Sequence, residues 1–115
     1  MSGRGRRWQV VRQGDTLVLA RRMPARMDVA AETRLAAMPR LRLARQVRQD
    51  VWRALQRVRG FSPVIEVHAE GDGLRLVAGG QVDGAVPPGA SAAIAAVLED
   101  RDNRARWARH AGRGR

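Results

Sequence analysis

The stretch Arg40–Arg59, RLRLARQVRQDVWRALQRVR, bracketed by Pro39 and Gly60, decides what kind of fold this chain can have. Proline is tolerated at a helix start because the N–H it lacks would be unbonded there anyway, and glycine is favoured just past a helix end. The spacing therefore predicts one helix over these twenty residues, about 30 Å long. At 100° per residue Leu41, Leu43, Ala44, Val47, Val51, Ala54, Leu55 and Val58 share one half of its surface. Arg42, Arg45, Gln46, Gln49, Arg53, Gln56 and Arg57 share the other. Trp52 sits at the border, beside Arg45, Arg48, Gln56 and Arg59, where it could pack beneath a hairpin or stay open for stacking.

The apolar half needs a surface to bury against, and the flanking sequence offers β-hairpins. Val64–Ala69 and Leu74–Ala78 surround Glu70-Gly71-Asp72-Gly73, with Ile65, Val67 and Ala69 alternating against Glu66, His68 and Glu70. Trp8–Arg12 and Thr16–Arg22 surround Gln13-Gly14-Asp15 in the same way. Gly79-Gly80 is expected to turn or bulge toward a third short strand, Gln81–Val86, before Pro87-Pro88-Gly89 closes the sheet. Residues 25–38 read as a connector, in which Asp28 and Glu32 could cap a short helix before Pro39. Ser91 is the expected N-cap of a helix to about Leu98, buried through Ile94, Val97 and Leu98. Asp102 is the expected cap of a last segment ending near His110 and anchored by Trp107.

The fold class that follows is α+β: a β-hairpin, a long amphipathic helix, a second hairpin or three-stranded sheet, and a C-terminal helix or two short helices. One domain is expected over residues 8–111, with a disordered basic arm at 1–7 and a disordered tail at 112–115. A chain of 115 residues buries a single small core. With three Trp, one Phe and no Tyr, that core must be aliphatic. The absence of cysteine excludes a disulfide framework and a Cys-type zinc site. Leu17–Ala20, the longest apolar run near the N-terminus, is too short for a signal h-region or a membrane span, so a cytoplasmic protein with no membrane partner is expected.

The charge is the strongest signal for function. The net charge is +11, and it is unevenly spread: residues 1–60 carry fifteen Arg and four acids, residues 61–100 one Arg and six acids, and residues 101–115 six Arg and one acid. The Ala-, Arg- and Gly-rich composition without lysine is what a GC-rich genome would produce, so the choice of Arg over Lys carries little information. A two-to-one excess of bases over acids is different, and points to a polyanion, an acidic partner or an anionic surface.

Catalysis has few candidates. Ser2, Ser62, Ser91, Thr16 and Thr33 are the hydroxyls, and only His68 and His110 could serve as bases near neutral pH. No triad spacing, phosphate-binding loop or dinucleotide fingerprint occurs, so a non-enzymatic protein without cofactor or metal is expected. Glu66, His68 and Glu70 on one strand face could ligate a metal. Alternatively they form a solvated face paired across the strands with Arg75, which is the preferred reading. His110 reads as a helix C-terminal cation.

The Arg/Gln face of the helix suits a polyanion better. Arg42, Arg45, Gln49, Arg53 and Gln56 offer guanidinium and amide donors to phosphate oxygens or base edges. Trp52 could stack on a base, and Arg4, Arg6 and Arg7 of the N-terminal arm could follow a strand. These nine residues are the candidate nucleic-acid-binding set. The competing reading is a protein–protein assembly module whose basic helix docks on an acidic surface of a partner or second copy.

Leu43–Val64, LARQVRQDVWRALQRVRGFSPV, with the EGDGLRLVAGG hairpin and the terminal RARWARH, resembles short basic alphaproteobacterial proteins, among them the small-terminase-like first protein of gene transfer agent clusters. The resemblance covers about two thirds of the chain and implies an oligomeric adaptor that engages DNA, ahead of RNA, and a packaging ATPase. The sequence departs from phage small terminases at its N-terminus, which reads as a β-hairpin where they carry a helix-turn-helix, and only one long helix is evident. No residue role transfers through it.

Overall fold

The computed structural model describes residues 7–113. The chain runs β1 (Gln9–Gln13), β2 (Thr16–Ala20), β3 (Val29–Ala36), α1 (Arg40–Leu55), β4 (Ser62–Glu70), β5 (Gly73–Gln81), α2 (Ala90–Glu99), α3 (Arg101–Arg113). All five strands form one antiparallel sheet in the order β1-β2-β4-β5-β3. The class is α+β, as the hairpin–helix–hairpin pattern predicts.

Strand parity decides which face meets the helices. The registers align Leu17, Val67 and Leu76 in one row and Leu19, Ile65 and Ala78 in the next, and all six side chains are buried. Leu43, Ala44, Val47, Val51 and Leu55 of α1, with Ile94 and Leu98 of α2, complete this core. Burying each such aliphatic side chain stabilises the fold by about 1.5–3 kcal/mol before entropy is counted. The opposite face carries Thr16, Glu66, His68, Glu70, Arg75, Glu32 and Arg34 and bears no helix.

Four expectations are corrected. Residues 29–36 are a strand, not part of a connector: Val29, Ala31, Thr33 and Leu35 alternate toward the helices, and eight registered pairs to β5 outweigh the weak β-propensity of so many alanines. Asp28 caps no helix. Its carboxylate accepts the Val82 N–H at 3.0 Å and pairs with Arg26, fastening the entrance of β3 to the exit of β5. Second, Gly79 and Gly80 neither turn nor bulge but lie inside β5, which continues to Gln81, and no strand occupies residues 82–86. A Cβ at Gly79 would strike the Val29 carbonyl of β3, and one at Gly80 the Ser62 carbonyl of β4, so glycine here permits close backbone approach on both sides.

Third, α1 ends at Leu55, four residues early, in tight turns closed by Val58 N–H to Leu55 C=O and Phe61 N–H to Val58 C=O. Ala54, expected among the buried residues, is exposed. Gly60 follows with φ 68°, where a Cβ would collide with the Asp83 side chain. Fourth, the caps shift. Gly89 with φ 81°, not Ser91, precedes α2. Asp100, not Asp102, caps α3 by accepting the Asn103 N–H at 2.8 Å. Helix α3 extends through Gly112 and Arg113, which were expected in the tail.

The last helix is held by one buried polar contact. Trp107 is fully buried and its indole N–H donates to Asp50 Oδ2 at 2.7 Å. Asp50, 8% exposed, also receives Arg106 at 3.0 Å and has Arg53 at 3.7 Å, so its charge is compensated within the α1–α3 interface. Arg104 reaches from α3 to β3, donating to Thr33 Oγ1 and the Arg34 carbonyl, and so covers part of that free sheet edge.

Candidate nucleic-acid interface

Helix α1 lies over β2, β4 and β5, with α3 along one flank. Along the other flank the edge strand β1 projects beyond it. Parity sends Val10 and Arg12 of β1 to the helix side, in line with Leu19 and Leu17, and Trp8 and Arg21 continue the two strands on that side. The result is a cleft between hairpin and helix. One pocket on this flank, about 690 Å³, is lined by Arg12, Met38, Pro39, Arg40, Leu41, Arg42 and Arg45. A separate pocket, about 280 Å³, lies one to two turns further along α1 between Trp8, Arg21, Arg48, Gln49, Trp52 and Arg53.

The sequence-derived helix row is brought together here. Arg42, Arg45, Gln49, Trp52, Arg53 and Gln56 are all exposed along α1 and its C-terminal end. Trp52 is 46% exposed, which resolves its border position in favour of an open ring. Gln56 is less free, because its side-chain amide donates to the Arg53 carbonyl at 3.2 Å. Arg7 is exposed, while Arg4 and Arg6 lie outside the described residues.

Sequence reasoning missed the second wall, made by Trp8, Arg12 and Arg21, and the inward-leaning Arg48. Guanidiniums of Arg48 and Arg21 lie 4.4 and 5.1 Å from the Trp8 ring centroid, both within cation–π range. The signal was available, since Trp8, Val10, Arg12, Leu17, Leu19 and Arg21 share one face of a registered hairpin. Parity alone would have set three cationic or aromatic side chains against α1.

The electrostatics of this flank are one-sided. Among the described residues, Arg12, Arg21, Arg40, Arg42, Arg45 and Arg48 of this flank form no ion pair, nor do Arg7, Arg22, Arg57, Arg59, Arg101 and Arg109; Arg53, at the smaller pocket, pairs with Asp50, and Arg26, Arg34, Arg75, Arg104 and Arg106 are paired elsewhere. Burial, followed by the nearby charges of Arg21 and Arg45, lowers the Arg48 pKa below the usual arginine value. Arg48 Nε and one terminal nitrogen of Arg40 are buried without a hydrogen-bond partner.

The open sheet face behaves differently. His68 Nε2 lies 3.0 Å from Glu66 Oε1 and His68 Nδ1 lies 2.9 Å from Thr16 Oγ1. This chain of hydroxyl, imidazole and carboxylate has the partners of a hydrolytic triad but lies flat on a sheet, and none of the three lines either cleft. Glu70 is bound by Arg75 at 2.8 Å and Arg34 at 3.0 Å, and its pKa is lowered chiefly by the Arg75 hydrogen bond. Glu66, His68 and Glu70 therefore spend their polar atoms on neighbours, and no group of three metal-ligating side chains forms among the described residues. His110 is exposed on α3. Among the described residues no helix is long and apolar enough to cross a membrane.

No protein-family model matches this chain, and neither a curated protein nor a solved structure does. The fold and flank define it by their own geometry: an α+β fold in which six arginines without an ion-pair partner among the described residues gather between the first hairpin and the first helix.

Proposed function

We propose that this protein binds nucleic acid through the α1–β1 flank, as a non-enzymatic accessory protein making largely sequence-independent phosphate contacts. The observation that carries the reading is the set of six arginines along the cleft without a carboxylate partner. Like charges gathered at this density repel one another, and a phosphate backbone supplies counter-charges at regular spacing. Arg42, Arg45 and Arg53 neutralise phosphates, Gln49 and Gln56 add hydrogen bonds, and Arg4, Arg6 and Arg7 extend the contact. DNA stands ahead of RNA on the sequence resemblance, which also supports the most specific form of the proposal, an oligomeric packaging adaptor that hands DNA to an ATPase.

The assembly reading draws on the segregation of acids into residues 61–100. It is the weaker of the two, because Glu66 and Glu70 on the open face already have partners. Fluorescence anisotropy with labelled oligonucleotides across a salt series, with light scattering on the same sample, tests both. The proposal expects binding at physiological ionic strength with log K falling by about 0.7–0.9 per decade of salt for each phosphate neutralised. Absence of binding there, with self-association that Glu66, Glu70 and Asp72 substitutions disrupt, would replace it with the assembly reading.

A further inference from the structure

Resting on the nucleic-acid reading, we infer that the strand this cleft takes is single, and that Trp52 is the platform on which one of its bases stacks. Three observations converge. Trp52 is nearly half exposed in the middle of an otherwise Arg/Gln row, where a solvated surface would ordinarily carry no large ring. Trp8 does not compete for the same role, since Arg48 and Arg21 already lie against its ring; it positions those guanidiniums. And Trp52 borders the same 280 Å³ cleft as Arg21, Arg48 and Arg53, so a base on the ring would leave its phosphate among cations.

Helix α1 is also badly placed to read a duplex. A recognition helix enters a major groove about 12 Å wide and about 8.5 Å deep, which requires a helix of about 10–12 Å diameter to stand clear of its own protein. Here Asp50 ties one flank of α1 to Trp107 and Arg106 of α3, and Arg48 ties the other to Trp8 of the first hairpin. The exposed row therefore shares its helix with two tethered flanks, and on the hairpin side it borders the pockets lined by Arg12 and by Trp8 and Arg21. Bases stacked within a duplex offer Trp52 no face, whereas an unpaired base offers one at no unstacking cost. From Arg42 to Trp52 the helix rises about 15 Å, long enough to face more than one phosphate of a bound strand.

Tryptophan fluorescence of the full chain reads this once the Trp8 signal is removed by Trp8→Phe, because Trp107 is fully buried and contributes a constant background. The probes are a twelve-residue oligothymidylate, the matching oligouridylate, a blunt duplex and inorganic polyphosphate, each with wild type, Trp52→Ala, Trp52→Phe and Trp8→Phe. The inference expects quenching by both single strands, weaker binding to the duplex, and a loss of about ten-fold or more in single-strand affinity for Trp52→Ala. Trp52→Phe should recover most of that loss, and polyphosphate should bind wild type and the two Trp52 variants alike. The ratio of thymidylate to uridylate affinity identifies whether DNA or RNA is preferred. Equal affinity for duplex and single strand, with Trp52→Ala without effect, would overturn the stacking inference while leaving the basic cleft intact. Failure of every polyanion to bind would overturn the nucleic-acid reading as well.

Discussion

Two populations of arginine divide this molecule. Those on the open sheet face and two on α3 are paired: Arg75 with Glu70 and Glu32, Arg34 with Glu70, Arg104 with Glu99, and Arg106 with Asp50, while Arg101 and Arg109 of α3 stand exposed without an ion pair among the described residues. Those on the α1–β1 flank, Arg12, Arg21, Arg40, Arg42, Arg45 and Arg48, have no such partner among the described residues. The residue type is the same, so composition does not separate them. The placement of carboxylates does: it ties the first population into the fold and leaves the second uncompensated side by side on one flank, which is what the proposed function draws on.

The comparison is broken most forcefully at the contact that keeps α3 in place. Trp107→Ala should cost about 3–5 kcal/mol, because it empties a fully buried indole site and removes the donor to Asp50. Thermal or urea unfolding reads the loss, and an unchanged midpoint would remove the α1–α3 interface from the account. Next in size is the triple change Arg42, Arg45 and Arg53 to Gln, which should flatten the salt slope of oligonucleotide binding by about 2–3 units with little change in unfolding. An unaltered slope would move the site to the N-terminal arm or eliminate it.

Acid should act on one population only. The Asp28 and Glu70 pKa values are lowered, chiefly by hydrogen bonds from Arg26 and Arg75 respectively. A depressed folded-state pKa contributes stability that is present above the ordinary carboxylate range and lost as pH falls through the folded value. The unfolding midpoint should therefore begin to drop near pH 4 and continue downward below it, while the flank arginines keep their charge. A midpoint that is flat across that window would show these pairs to be ornamental. The smallest effect belongs to Arg75→Gln, which removes a half-exposed partner of Glu70 and should shift the midpoint slightly and leave oligonucleotide affinity unchanged. Reduced affinity in this variant would mean that the division between the two faces is not functional.

Much of this architecture was legible in the chain. The 3.6-residue period of α1, the Gly14-Asp15 and Gly71-Asp72 turns, and the anchoring of the terminal helix by Trp107 all follow from local pattern. Strand β3 did not, because VAAETRLA has the composition of a helix, with Asp28 ahead of it in a capping position, and only its long pairing with β5 shows which period applies. The glycine pair at 79–80 misled for a related reason. Its role, to let β3 and β4 approach, exists only once both neighbours are in place. Of the interface, the helix row was legible because residues three and four apart share a face. The opposing wall was legible only in part: hairpin parity puts Trp8, Arg12 and Arg21 on the helix side, but nothing local to them says that α1 leaves β1 uncovered. Arg48 fell between the two halves of the helix, and its lack of a partner is a property of the assembled fold.

The central claim is that position, not total charge, makes the binding site, and two double variants of equal net charge test it. Arg42→Gln with Arg45→Gln removes charge from the cleft, while Arg101→Gln with Arg109→Gln removes the same charge from exposed positions on α3. Anisotropy with a labelled single-stranded oligonucleotide across a salt series should show the first pair losing affinity, with a slope flatter by about 1.4. The second pair should match wild type. Equal losses in both would contradict the account, because the arginine-rich surface would then be acting as a whole and the α1–β1 cleft would have no special part in it.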